Sequence, residues 1–147
     1  MLVIKGVKTM FRWSSDFETG INEIDNQHKK LVSIGAKLED MLYAGYSVDY
    51  YDYIIETINE LKDYTEYHFS YEEKRMEECG YDRLESHRME HLYFVKRIDR
   101  LSLQDIDSQQ ISVIQETLNF LSKWLFGHIL KEDMMYVDCL RKSDNVY

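Results

Sequence analysis

At 147 residues the chain is long enough for one domain with a real hydrophobic core. Its formal net charge of -9 argues against a nucleic-acid partner, which attracts Lys/Arg-rich surfaces. No apolar run approaches the roughly 18 residues that a membrane span requires, and with no proline and six glycines little interrupts long helices.

Residues 1–20 read as an irregular arm. Met1–Ile4 is apolar but is broken at once by Lys5, Lys8 and Arg12, too short for an export signal. Cys79 and Cys139 form no CxxC pair, and without an export signal they are expected as free thiols in a reducing, cytoplasmic compartment. A first helix over about 22–44 carries the series Ile24, His28, Leu31, Gly35, Leu38, Leu42. Gly45-Tyr46-Ser47 ends it, and Ser47 or Asp49 is the expected N-cap of the next. The second helix, about 48–79, carries Ile54, Ile58, Leu61, Thr65, His68, Glu72, Met76 and Cys79, and Gly80 stops it. The third, about 83–102, carries Leu84, His87, His91, Phe94, Ile98 and Leu101. After a break from Ser102 to Ser108, with Asp105 or Asp107 as cap, the fourth runs over about 108–131 with Ile111, Ile114, Leu118, Leu121, Leu125 and His128. A last short helix after Asp133 is expected through Met135, Val137 and Leu140. Steps of three and four make each series one buried helix face. Short connections favour antiparallel neighbours, so the expected fold is all-α, an up-down-up-down four-helix bundle forming a single domain over 1–147.

All five histidines fall on these faces. A single histidine on an apolar face is usually a satisfied core residue. Five on four inward faces need a shared partner, because each buried ring nitrogen must be satisfied, and a metal satisfies them together. His87 and His91 are four residues apart and can point at one ion; His68 and Glu72 share that spacing. Asp133 follows His128 by five, which on a straight helix turns it about 140° away. It therefore requires a local unwinding or a helix end to face inward. The seven side chains His28, His68, Glu72, His87, His91, His128 and Asp133 are too many for one ion, but two ions can share the two carboxylates. With a solvent-derived bridging oxygen, three histidines saturate one metal, and the other, with two, keeps an open position. Imidazole with carboxylate suits iron, with zinc or manganese left open by ligand type.

The order and spacing of those seven residues resemble the hemerythrin family signature, in the style of its bacterial members. So do Gly20-Ile21, Ile24-Asp25, Gln27-His28-Lys29 and Leu31, His68-Phe69, Glu72-Glu73, and Trp124 with His128-Ile129. The likeness covers roughly residues 11–136. It implies two non-haem iron ions with a bridging oxo or hydroxo group. His87, His91 and His128 would bind the saturated iron, His28 and His68 the open one, and Glu72 and Asp133 would bridge. Dioxygen would bind end-on at the open iron and be held as hydroperoxide. Trp124, Leu125 and Ile129 match positions lining the oxygen pocket, and Trp13 matches a packing tryptophan of the arm. Tyr67, Tyr71 and Tyr136 beside the ligands read as packing. Gly127 stands where family members often carry a larger polar residue, which loosens the helix before Asp133.

The functions implied are oxygen storage, delivery or scavenging, with no catalytic residue expected. One alternative is an oxygen or redox sensor acting on a signalling or redox partner protein. Another is a di-iron oxidase, peroxidase or nitric oxide reductase. Enzymes that split O–O bonds use carboxylate-rich sites; five nitrogens against two carboxylates favour binding. A zinc site of purely structural purpose is disfavoured by the open position, since structural sites are closed.

Overall fold

Each of the four periodic stretches forms a helix in the computed structural model, which describes residues 11–44 and 48–144. The helices are α1 (Asn22–Ala44), α2 (Tyr51–Cys79), α3 (Leu84–Ser102) and α4 (Gln110–Gly127). A π-helical turn, His128–Asp133, leads directly into α5 (Met134–Asp144). α1 packs on α2 and α4, and α3 on α2 and α4, closing an antiparallel bundle, while α5 folds back onto α2. No strand occurs among the described residues, and none of their helices is long and apolar enough to cross a membrane.

The inward faces are those the periodicity marks. Only Leu42, Cys79, Leu84 and Ile111, near helix ends, are half-buried rather than buried. Gly35 is required on the α1 face because the Phe11 ring lies where its Cβ would stand. The arm is fixed to the start of α1 by Asp25, whose carboxylate accepts from Thr19 N, Thr19 Oγ1 and Gly20 N at 2.8, 2.8 and 3.1 Å. Trp13 packs there as expected, 5.6 Å from the Phe17 ring and under the Lys29 ammonium. α2 ends at Gly80, whose φ of 72° suits glycine; Gly80 N and Tyr81 N close the end on Glu77 O and Met76 O.

The caps differ in part from expectation. Ser47 lies outside the described residues, and Asp49, although it accepts from Tyr51 N at 3.0 Å, is not the α2 cap: Tyr50 holds that position without a side-chain bond. Asp105 accepts from Ser108 N and Oγ, so it closes the turn pinned by buried Ile106 rather than capping α4, which begins later at Gln110. Neither Asp105 nor Asp107 is the α4 cap; Gln109 holds that position without a side-chain bond.

Two further corrections concern α5. The cysteines are not free: Cys79 and Cys139 are joined by a disulfide, their Cα atoms 5.7 Å apart. The return of α5 along the end of α2 brings together residues 60 apart in sequence, a proximity that no local pattern reveals. Met135 is exposed, and Tyr136 takes its inward place beside Val137 and Leu140. The π turn adds a residue to the helical repeat and shifts the buried face by one position. Gly127 keeps a helical φ of -62°, and the helix runs through it unbroken.

The apolar core is split. A large cluster around Leu31, Leu61, Phe69, Phe94, Ile114 and Leu121 fills most of the bundle. A smaller one of Ile21, Ile24, Met76, Tyr136, Val137 and Leu140 lies under α5. Between them, on every helix of the bundle, runs a layer of polar side chains.

Candidate metal centre

That layer contains His28 from α1, His68 and Glu72 from α2, His87 and His91 from α3, and His128 and Asp133 from the two ends of the π turn. All are buried, and His28, Glu72 and Asp133 are fully so. The widened turn lets Asp133, five residues after His128, face the same interior as His128.

The donor atoms fall into two groups that share both carboxylates. One contains Glu72, His87, His91, His128 and Asp133; the other contains His28, His68, Glu72 and Asp133. Within each, the atoms lie within 4.8 Å of one another. Glu72 turns Oε1 toward His68 and, at 3.1 Å, His28 Nε2, and Oε2 toward His87 and His91, each at 3.4 Å. Asp133 turns Oδ2 toward His28 Nε2 at 3.0 Å, and Oδ1 toward His128 and His87 Nε2 at 2.9 and 3.1 Å. Each carboxylate thus offers one oxygen to each histidine group.

Hydrogen bonding does not account for this arrangement. Both Asp133 oxygens, Glu72 Oε2 and His91 Nε2 are buried without a hydrogen-bond partner despite the close nitrogens. The Nε2 atoms of His87 and His128 lie 3.1 Å apart, where one donates to the other only if it carries a proton, whereas the orphaned atoms have no such partner. Atoms that approach closely without bonding to one another are aimed at common points between them, as metal ligands are. A metal would remove the large penalty of burying these unmet groups. The donor set fits two hard-to-borderline divalent ions, with imidazole and carboxylate suiting iron.

Without metal, protons must balance the two carboxylates. Burial lowers the His28 pKa, but Asp133 and Glu72 outweigh it and raise it from 6.5 to about 9. The same opposition raises His87 to about 10. Burial and the Glu72 charge act to raise Asp133, yet His128 and His28 hold it well below the usual carboxylate range. His68 shifts the other way, lowered by its complete burial despite Glu72.

Trp124, Leu125 and Ile129 surround His128. The Trp124 ring stacks on it at 4.4 Å and 11°, while Leu125 and Ile129 are buried in the large cluster. Tyr67 is exposed rather than packed, and Tyr71 is half-buried, its hydroxyl accepting from Arg75 at 3.1 Å. Tyr136 is not peripheral: it is fully buried 5.7 Å from the His87 ring, and burial, then Glu72 and Asp133, raise its pKa well above 10.0.

Sequence reasoning assigns no role to Phe69, stacked on His91 at 3.9 Å, or to two residues bonded to ligand histidines, although Phe69 and Gln27 are among the residues that carry the resemblance. Gln27 Oε1 accepts from His68 Nδ1, and Glu90 Oε2 from His128 Nδ1, both at 2.7 Å. Each directly precedes a candidate ligand in the sequence, which rotates it about 100° off the buried seam toward the next helix. A polar residue at that offset is the signal that could have found them.

Comparison with known proteins gives a consistent answer. A family model described as the hemerythrin HHE cation binding domain matches residues 19–140. A bacteriohemerythrin of Clostridium acetobutylicum is 43% identical over 129 residues, covering 88% of this chain and 100% of that protein. A bacteriohemerythrin of Pseudomonas aeruginosa is 37% identical over 131 residues, covering 89% and 82% respectively. A crystal structure of a hemerythrin leucine-to-alanine mutant superposes with a TM-score of 0.74 at 30% identity, covering 88% of this chain and 95% of that one.

Proposed function

The chain belongs to the hemerythrin family, and from that premise we propose that it binds dioxygen reversibly at a non-haem di-iron centre, its helices acting as one domain around the site. His87, His91 and His128 would hold one iron and His28 and His68 the other, with Glu72 and Asp133 shared between the two groups. The observation that carries this reading is the division of each carboxylate, one oxygen toward each histidine group. An iron pair held there would supply the two electrons that reversible dioxygen binding draws on.

The protein's own part is to leave room and keep water out. The half of the site with two histidines has one fewer protein ligand than its neighbour, which reserves a position for dioxygen. Trp124, Leu125 and Ile129, with Phe69 beyond His91, form an apolar wall against water and protons that would discharge the bound gas. Five nitrogens to two carboxylates favour holding dioxygen over splitting it, so the protein is read as a binder and not an enzyme. Dioxygen is the ligand in this reading; the cytoplasmic setting expected from free thiols loses that support, because a Cys79–Cys139 bond persists in an oxidising environment.

Gas uptake by the anaerobically iron-loaded, reduced protein tests the proposal. About one dioxygen per iron pair, recovered under vacuum over repeated cycles, is the expected result from a site with one open position. Uptake that is never returned would refute reversible binding.

A further inference from the structure

The two halves of the cluster differ in what stands behind their histidines. Behind His68 is a neutral amide: Gln27, 2% exposed, accepts from Nδ1 at 2.7 Å. Behind His128 is a carboxylate: Glu90 Oε2 lies 2.7 Å from Nδ1, with the imidazole side chain 4% exposed and the glutamate 40% exposed. A carboxylate has no proton to give, so His128 Nδ1 must donate and its Nε2 lone pair is left for the cluster. Among the described residues Glu90 pairs with no lysine or arginine, so His128 is the one ionisable side chain it bonds, the rest of its charge facing water. Glu73, the other carboxylate on this half, contrasts with it. It stands 3.8 Å from His91 Nδ1, outside hydrogen-bond range, and 3.5 Å from Arg88, which competes for its charge.

We propose that Glu90 is a positioning residue for the three-histidine half of the site. It fixes the tautomer and ring orientation of His128, and through that ring it lends the bound metal negative charge that the half with His28 and His68 lacks. The inference rests on the di-iron reading above. Its physical basis is that a carboxylate accepting from a ligand imidazole raises the basicity of the coordinating nitrogen, which strengthens metal binding and favours the more oxidised ion. The half reserved for dioxygen, backed only by an amide, is left easier to reduce.

Two substitutions separate the two roles. Glu90→Gln keeps a hydrogen-bond acceptor and removes the charge; Glu90→Ala removes both. Both residues suit a helix, and a circular-dichroism melt of each metal-free variant checks folding. The probes are Co(II), whose ligand-field spectrum reports ring geometry, and Fe(II), read by redox titration. Wild type and Glu90→Gln should hold two Co(II) per chain with the same spectrum. Glu90→Ala should lose one Co(II) to a chelator about tenfold faster, at the low end of the effect of removing such a partner. With iron, Glu90→Gln should raise the midpoint by about 59 mV, a tenfold change in the oxidised-to-reduced ratio for one electron. Wild-type release rates and spectrum in Glu90→Ala, or an unmoved midpoint in Glu90→Gln, would overturn the assignment of Glu90 alone. A wild-type chain that takes up no metal pair would overturn the di-iron reading and this inference with it.

Discussion

Replacing His28 or His91 by alanine should have unequal effects, although both histidines belong to the same buried layer. His28 Nε2 lies 3.1 Å from Glu72 and 3.0 Å from Asp133, so its loss strips a partner from both buried carboxylates. Breaking a buried charge pair in this way costs about 3–5 kcal/mol. His91 is 3.4 Å from Glu72, neither of its nitrogens is hydrogen-bonded, and its ring stacks on Phe69. Its truncation removes mainly packing, about 1–2 kcal/mol. At roughly 2–4 °C of Tm per kcal/mol for a chain near this size, metal-free His28→Ala should lose roughly 6–20 °C and His91→Ala roughly 2–8 °C. Metal retention should divide the same way. His28→Ala leaves His68, Glu72 and Asp133 in its group, whereas His91→Ala leaves Glu72, His87, His128 and Asp133. After desalting, the first should keep one metal per chain, and the second should keep a second metal more weakly than wild type. Scanning fluorimetry at pH 7 on the metal-free proteins, with metal analysis on the loaded ones, reads both quantities. Equal losses in the two variants, or a larger loss in His91→Ala, would refute the reasoning.

Other outcomes follow from the same structure. Leu125 is buried beside His128, and Trp124 is stacked on it; alanine at either should shorten the lifetime of the oxygenated form, and an unchanged decay of its absorption would show that the wall protects nothing. Because His28 and His87 are raised from 6.5 to about 9 and about 10, their contribution to metal-free stability is fully present below pH 6.5 and lost as pH rises through those values. The metal-free Tm should therefore fall between about pH 6.5 and 10, and metal uptake at pH 7 should release the His28 and His87 protons, about two per chain, besides those given up by water in forming a bridge, read in a lightly buffered indicator assay. A flat Tm profile and no released protons would contradict the charge balance drawn for the cluster. Reducing Cys79–Cys139, which closes a loop of 60 residues, should remove about 4 kcal/mol of stability by the chain-entropy relation. Denaturant melts with and without a dithiol measure it, and coincident curves would mean that the bond constrains nothing.

Much of the fold can be read from the sequence because the bundle is built from local rules. The buried seams repeat at helical spacing, Gly80 takes the left-handed turn that stops α2, and the connections are too short for anything but antiparallel neighbours. The offset between His128 and Asp133 is informative because it violates that spacing, and a π turn stands where the violation falls. What the sequence hides is set by non-local geometry. Met135 and Tyr136 exchange roles because the widened turn shifts the phase of α5. The disulfide depends on the path of α5 back along α2, and Asp105 closes a turn that only buried Ile106 defines. Gln27 and Glu90 escape a search of the seams because each serves a histidine on a neighbouring helix.

Reversible dioxygen binding at an iron pair can be read from the absorption spectrum of the iron-loaded, reduced protein through repeated cycles of oxygen and vacuum, with iron counted per chain. Two irons per chain are expected, with a visible charge-transfer band that rises with oxygen and fades under vacuum, cycle after cycle. A chain that retains no iron, or two irons that pass once and irreversibly into an oxidised form, would contradict it.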